Sequence, residues 1–235
     1  MKDQENLIEK EYKPGLLYLY FGLRPSYLPN SDQLELILSK QEQLRSLNYK
    51  SEEAKLDFVW GRILLRRILS AHQNNVKPKQ WTICTDKSGK PFQQQELSLH
   101  FNLSHSHKML LLGVSTFGPI GVDVERLDRN IPILQLARRF FHPEETKVLE
   151  STLGSDLNTR FFSYWTQKEA YLKLTGEGLP GGLGSQPLRH LQERNKVYFE
   201  SITHQLYTLS IALHSPPPFK PIWKLIDDAF YSPIE

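Results

Sequence analysis

The sequence of 235 residues has one cysteine, Cys84, so no intramolecular disulfide can form, and the chain reads as one kept in a reducing cytoplasm. Long apolar runs are missing. A stretch such as residues 109–114 falls far short of the ~20 apolar residues that cross a bilayer, so no membrane segment is expected. The opening residues MKDQENLIEKEYK are polar and lack an apolar centre, so they do not read as a signal peptide. An excess of one charge is also missing: 29 basic against 26 acidic residues leave a net charge of +3, which demands neither a nucleic acid nor an acidic partner. There is no Walker-type phosphate loop, dinucleotide fingerprint, zinc-ligand spacing or nucleophile elbow. Internal repeats and low-complexity tracts are absent too. What remains, 39% hydrophobic and 23% charged residues, is the composition of a folded soluble protein.

The pattern along the chain is mixed. Residues 15–22 (GLLYLYFG) read as a buried strand. Residues 34–47 read as a helix, with Asp32 as cap and Glu35 closing a capping box. A second helix is expected over residues 52–72, where Ala54, Phe58, Leu65 and Leu69 form an apolar stripe. Strand-like runs follow at 81–85, 97–103, 109–115 and 120–124, then helical segments at 132–141, 143–152 and 156–175, with Pro143 suited to a first turn. Residues 179–187 read as a loop, and 196–200 with 206–213 as a closing hairpin. Helices and strands in this order predict an α+β fold, with two similar halves as an extension.

Four groups of residues can carry chemistry. In Gly121-Val122-Asp123-Val124-Glu125 the two carboxylates share one strand face, a natural pair for a hard cation such as magnesium, although alone such a triplet is as well read as a solvated strand edge. In Trp165-Thr166-Gln167-Lys168-Glu169-Ala170-Tyr171-Leu172-Lys173, the residues Trp165, Glu169 and Lys173 follow at successive four-residue spacings on one helix face. Gly176-Glu177-Gly178-Leu179 then ends that helix in a shape that lets backbone approach a ligand. The run Phe101-Asn102-Leu103-Ser104-His105-Ser106-His107 gathers small polar groups and imidazoles at a strand end, suited to phosphate oxygens or to a turn. Arg62, Arg66 and Arg67 sit on the second helix, where Arg62 and Arg66 share a face and could fork onto phosphate, and Lys90 stands in a Gly89-Lys90-Pro91 turn.

Together, and in this order, these residues resemble the phosphopantetheinyl transferase superfamily, in its long pseudo-dimeric type that serves polyketide and nonribosomal-peptide synthetases. The resemblance runs from about Arg62 to Leu179. It implies two similar α/β lobes in a pseudo-twofold arrangement, here 1–118 and 119–235, with coenzyme A bound in the cleft between them. It implies transfer of the 4′-phosphopantetheine group of coenzyme A to a serine of an apo acyl- or peptidyl-carrier protein, with release of 3′,5′-ADP. By matching positions, Asp123, Glu125 and Glu169 hold magnesium, and Glu169 is the candidate base. Lys173 contacts the phosphate that is transferred, Ser104 and His105 the phosphates of the adenosine part, with Arg62, Arg66 and Lys90 as helpers. A cytoplasmic monomer, without nucleic-acid or membrane partners, is the corresponding expectation.

Two other readings start from the same residues. A magnesium-dependent nuclease also gathers carboxylates beside a lysine, but it calls for a larger basic surface than a net charge of +3 offers. A non-catalytic module that binds coenzyme A or a carrier needs no complete acidic set, whereas Asp123, Glu125, Glu169 and Lys173 are all present.

Overall fold

The computed structural model describes residues 15–232, except 74, 88, 96, 178–182, 185 and 195. Strand β1 (Leu17–Leu23) opens the described chain, followed by helices α1 (Ser31–Ile37), α2 (Lys40–Leu47) and α3 (Glu52–His72). The short strands β2 (Ile83–Thr85) and β3 (Pro91–Gln93) form a small ladder, and β4 (His100–Ser106) and β5 (Met109–Ser115) a hairpin. Next come β6 (Ile120–Arg126), α4 (Ile133–Phe140), α5 (Pro143–Glu150), α6 (Ser155–Thr175) and α7 (Leu188–Glu193). The hairpin of β7 (Tyr198–His204) and β8 (Tyr207–Leu213) and the strand β9 (Ile222–Leu225) complete the described strands.

One sheet has the order β4-β5-β1-β9, another β6-β8-β7. β1 runs antiparallel to β5, with Leu17 opposite Ser115, and parallel to β9, with Tyr18 opposite Ile222. β6 runs antiparallel to β8, with Asp123 opposite Ser210. Successive strand residues point to opposite faces, and β1 shows what that does here. Tyr18 and Tyr20 join Leu110, Leu112 and the α3 residues Leu56, Ile63 and Leu64 in one core. Leu17, Leu19 and Phe21 join Leu111, Val122, Val124, Leu209 and Ile211 in another. The first sheet is therefore covered by α3 on one face and by the second sheet on the other. The outer face of the second sheet takes α6, through Ala170, Leu174 and Ala212. The layers run helix, sheet, sheet, helix, which is a mixed α+β architecture. Among the described residues no helix is long and apolar enough to cross a membrane.

Several boundaries differ from the sequence reading. The expected helix over 34–47 is two helices, because Leu38 is extended and Ser39 caps the second. The capping box is Ser39 with Glu42, and the first helix is capped by Asn30 instead of Asp32. β9, the last strand, was hidden in a proline-rich tail, and it returns to the edge of the first sheet. The helix ending at Thr175 is closed by Gly176 in the left-handed region (φ 79°), as its glycines implied. Gly178 and Leu179 of that segment, and much of the expected 179–187 loop, lie outside the described residues.

Candidate active site

The site forms where β4, β6 and α6 meet. β4 and β6 belong to different sheets and are joined by side chains. Asn102, Ser104 and Ser106 alternate along β4 and so share one face, all of them buried. Asn102 Oδ1 accepts from the Val122 backbone N–H at 2.8 Å. Ser104 Oγ donates to Asp123 Oδ1 at 2.8 Å, and Ser106 Oγ to Glu125 Oε2 at 2.8 Å. Three rungs thus hold Asp123 and Glu125 in place from the neighbouring strand.

α6 approaches from the other side, and Gly121 sets how closely. A Cβ at Gly121 would stand 1.8 Å from the Ala170 carbonyl oxygen and 2.6 Å from the Leu174 nitrogen, so only glycine admits the helix at this depth. Thr166 Oγ1 hydrogen-bonds Ser210 Oγ of β8 at 2.7 Å and fixes the helix against the same sheet. The helix spacing then carries Lys173 onto β6: its Nζ lies 2.7 Å from Asp123 Oδ1 and donates to Ser104 Oγ at 2.8 Å.

The electrostatics follow from this packing. Burial pushes the Asp123 carboxyl above its ordinary range, Lys173 and the Ser104 hydroxyl pull it back, and Glu125 adds to the rise. Glu169 is raised to about 6, mainly by burial and next by the Asp123 charge, against the opposing pull of Lys173. The three carboxylates therefore sense one another. Asp123 Oδ2 is buried and finds no hydrogen-bond partner among the described residues. An oxygen-only donor set with an orphaned buried carboxylate oxygen fits a hard divalent cation in its chemistry. The side chains as placed do not gather it: among the described residues no three His, Cys, Asp or Glu groups are arranged to hold a metal ion. Lys173 occupies Asp123, and Arg129 Nη1 sits 2.8 Å from Glu125 Oε2.

Of the other residues singled out in the sequence, His105 stands at the end of β4 with its Nδ1 3.5 Å from Asp57 Oδ2. Lys90 is turned to backbone: its Nζ donates to the carbonyls of Lys173 (2.5 Å), Leu174 (3.4 Å) and Ile120 (3.4 Å), and burial lowers its pKa. It thereby caps the C-terminus of α6, where a cation suits the helix dipole. It also lines a cavity of about 430 Å³ with Gln93, His100, Pro119, Ile120 and Gly176. Arg66 is turned inward: it is buried, with all three nitrogens engaged by Glu42 Oε2 and the carbonyls of Pro78 and Trp81, so it braces the core. Arg62 lies beside the same Glu42, 3.6 Å from Oε1, with Nη1 buried and unpartnered among the described residues and its pKa lowered by burial.

Sequence reasoning missed Lys168, whose neighbour Glu169 drew attention instead. Its Nζ is buried, 2.9 Å from Glu145 Oε2, and donates to the carbonyls of Leu183 and Gln186. Glu145 in turn accepts from the Leu188 N–H at 2.8 Å, so the pair ties α5, α6 and α7 together. Asn102 and Ser106 were read only as part of the 101–107 run, not as residues that reach β6. Their two-residue spacing with Ser104 was the available signal.

Comparison with known proteins adds the decisive observations. A model of the 4′-phosphopantetheinyl transferase superfamily matches residues 119–215, the segment from the start of β6 to just beyond β8. The 4′-phosphopantetheinyl transferase ffp of Bacillus subtilis is 30% identical over 189 residues, covering 80% of this chain and 82% of its own. The chain belongs to the 4′-phosphopantetheinyl transferase superfamily. Other superfamily relatives are closer over shorter spans. The Nostoc sp. 4′-phosphopantetheinyl transferase HetI is 38% identical over 149 residues, 62% of each chain. A Synechocystis sp. relative is 38% identical over 163 residues, 68% of this chain and 66% of its own. The present chain thus covers just under two thirds of the length of these last two.

Proposed function

We propose that this chain transfers the 4′-phosphopantetheine group from coenzyme A to a serine hydroxyl of an apo acyl- or peptidyl-carrier protein and releases 3′,5′-ADP. The observation that carries this reading is the convergence of Asp123, Glu169 and Lys173 within the segment that the superfamily model matches. In the reaction the serine Oγ–phosphorus bond forms, the phosphorus–oxygen bond within the pyrophosphate breaks, and the serine proton must leave. Glu169, with a pKa of about 6, is mostly ionised at neutral pH yet basic enough to take that proton. Lys173 holds a phosphate oxygen and keeps the attacked group aligned, as phosphoryl transfer requires. Asp123, Glu125 and Glu169 would hold magnesium, which when bound supplies charge neutralisation for the pyrophosphate. Ser104, His105, Lys90 and Arg62 remain the groups proposed for coenzyme A, whereas the inward-turned Arg66 is left out.

The two-lobed organisation belongs to the same proposal. A strand, a set of helices that includes one long one, and a hairpin occur twice, as β1 to β5 and as β6 to β8, each with the hairpin's second strand in the middle. The family match beginning at residue 119 supports a division into 1–118 and 119–235, with β9 crossing back to the first lobe. Action as a monomer in the cytoplasm is part of the same proposal. Neither a nuclease nor a non-catalytic binding module is supported by the relatives. The test is to incubate the protein with coenzyme A, magnesium and a panel of apo-carriers and to assay 3′,5′-ADP. Stoichiometric release that needs the carrier is expected. Coenzyme A binding without release would leave only the binding module.

A further inference from the structure

Arg24, at the end of β1, has a fully buried side chain placed between two carboxylates of α3. Its Nη2 reaches Glu53 Oε2 and its Nε reaches Asp57 Oδ1, each at 2.5 Å, while Nη1 donates to the Pro25 carbonyl at 3.0 Å. Its backbone N–H donates to the Lys108 carbonyl at 2.8 Å, which ties the turn of the β4–β5 hairpin to the same point. One guanidinium facing two carboxylates leaves this cluster one negative charge in excess. Glu53 is 68% exposed, so water screens it; Asp57 is only 13% exposed and keeps its charge toward the protein. The free oxygen of Asp57, Oδ2, faces His105 Nδ1 at 3.5 Å, and the His105 side chain is 53% exposed.

We propose that Asp57, anchored by Arg24, is a positioning residue that holds the His105 imidazole through Nδ1 and leaves Nε2 for a phosphate oxygen at the nucleotide end of coenzyme A. The identity of the ligand rests on the function proposed above; the Arg24–Asp57–His105 arrangement does not. In a ring protonated on both nitrogens, Nε2 can donate to an anion while the Nδ1 proton takes a second acceptor. Asp57 is the carboxylate in place to accept it, and Arg24 fixes the carboxylate's direction from behind. Such a second partner fixes the orientation of an imidazole. An unanchored carboxylate so near a phosphate would repel it; the buried guanidinium offsets that. Lys108, whose Nζ donates to Ser26 Oγ at 2.7 Å, and His107 are the other titratable groups of the hairpin turn beside His105. Among the described residues it is Asp57 Oδ2 that lies against the His105 ring nitrogen and sets its direction.

The test uses the full chain and two variants, Asp57→Asn and His105→Ala. It measures dissociation constants for coenzyme A and 3′-dephospho-coenzyme A, and the ¹⁵N resonances of His105. Asp57→Asn keeps an acceptor for Arg24, so the fold is retained. It is expected to move the His105 Nδ1 resonance and to weaken coenzyme A about tenfold while leaving the dephospho compound within about twofold. His105→Ala is expected to show the same selectivity, with at least as large a loss. An unmoved Nδ1 resonance in Asp57→Asn, or tighter coenzyme A binding, would overturn the positioning role. Equal losses on both compounds in His105→Ala would overturn the phosphate contact. A wild-type chain that binds neither compound would instead sink the proposed function, and the resonance of His105 would then decide the positioning role by itself.

Discussion

Asp123 is a carboxylate buried beyond what its partners satisfy. Oδ1 takes both Ser104 and Lys173, and Oδ2 takes nothing among the described residues. Burial raises its pKa, so the metal-free fold carries this charge at a cost. Asp123→Asn is therefore expected to abolish transfer while leaving thermal stability without added metal equal or higher. Near-normal magnesium-dependent transfer by that variant would remove Asp123 from the metal set. Glu169 gives a pH signature. Its folded pKa of about 6 lies above the ordinary 4.5, so the folded chain binds the proton more tightly and stability falls as pH rises between those values. Glu169→Gln, measured in a chelator, is expected to match the wild type below pH 4.5 and to melt higher above pH 6. The gain is of order 1 kcal/mol, less than the full shift because water reaches the side chain. At this scale the sequence was legible where spacing within a short motif sets a shared face, as for Asp123 with Glu125 and Glu169 with Lys173, which the structure brings near one another. It was not legible where a partner is distant. Arg66 and Arg62 share a helix face as their spacing predicted, but that face meets Glu42 of another helix. Nothing near Arg66 in the chain announces it.

At the scale of elements, the contact of α6 with β6 decides whether the site exists. Gly121 admits the helix, and the Ala170 carbonyl that touches it belongs to the residue next to Glu169. Gly121→Ala is expected to destabilise the fold by about 3 kcal/mol or more, because backbone atoms and not a flexible side chain must move. Chemical denaturation measures this, and an unchanged midpoint would contradict the packing described. Long strongly patterned elements such as α3, β5 and α6 were readable, since an apolar stripe or an unbroken apolar run names them. The break at Leu38 and Ser39 was not read, although Ser39 with Glu42 forms a capping box, because Asp32 and Glu35 offer a similar signal a few residues earlier. β2 falls within the strand-like run read at 81–85, whereas its partner β3 is too short for any periodicity to show.

At the scale of the molecule, two sheets pack face to face between two long helices, and the tail returns to the edge of the first sheet. β9 covers the edge of β1, and Ile226 and Tyr231 enter the core beneath α3. A chain ending at residue 221 is expected to lose about 10 °C in Tm, since several kcal/mol of burial and edge pairing go with it. A melting curve within ~2 °C of the full chain would show the tail to be dispensable. The α+β class was legible from the order of elements, whereas the return of the tail was not, because pairing with β1 is set across some two hundred residues and leaves no local pattern. The central claim is that β4, β6 and α6 build a site for phosphopantetheine transfer. Its most direct measurement is the intact mass of an apo-carrier after incubation with coenzyme A, magnesium and either the wild-type chain or Lys173→Ala. A gain of one phosphopantetheine arm with the wild type and a loss of rate of at least a hundredfold in the variant is the predicted result, consistent with the ~2.7–4 kcal/mol that one charge-stabilising donor contributes to a transition state. A carrier panel left unmodified by the wild type, or modified equally fast by Lys173→Ala, would contradict it.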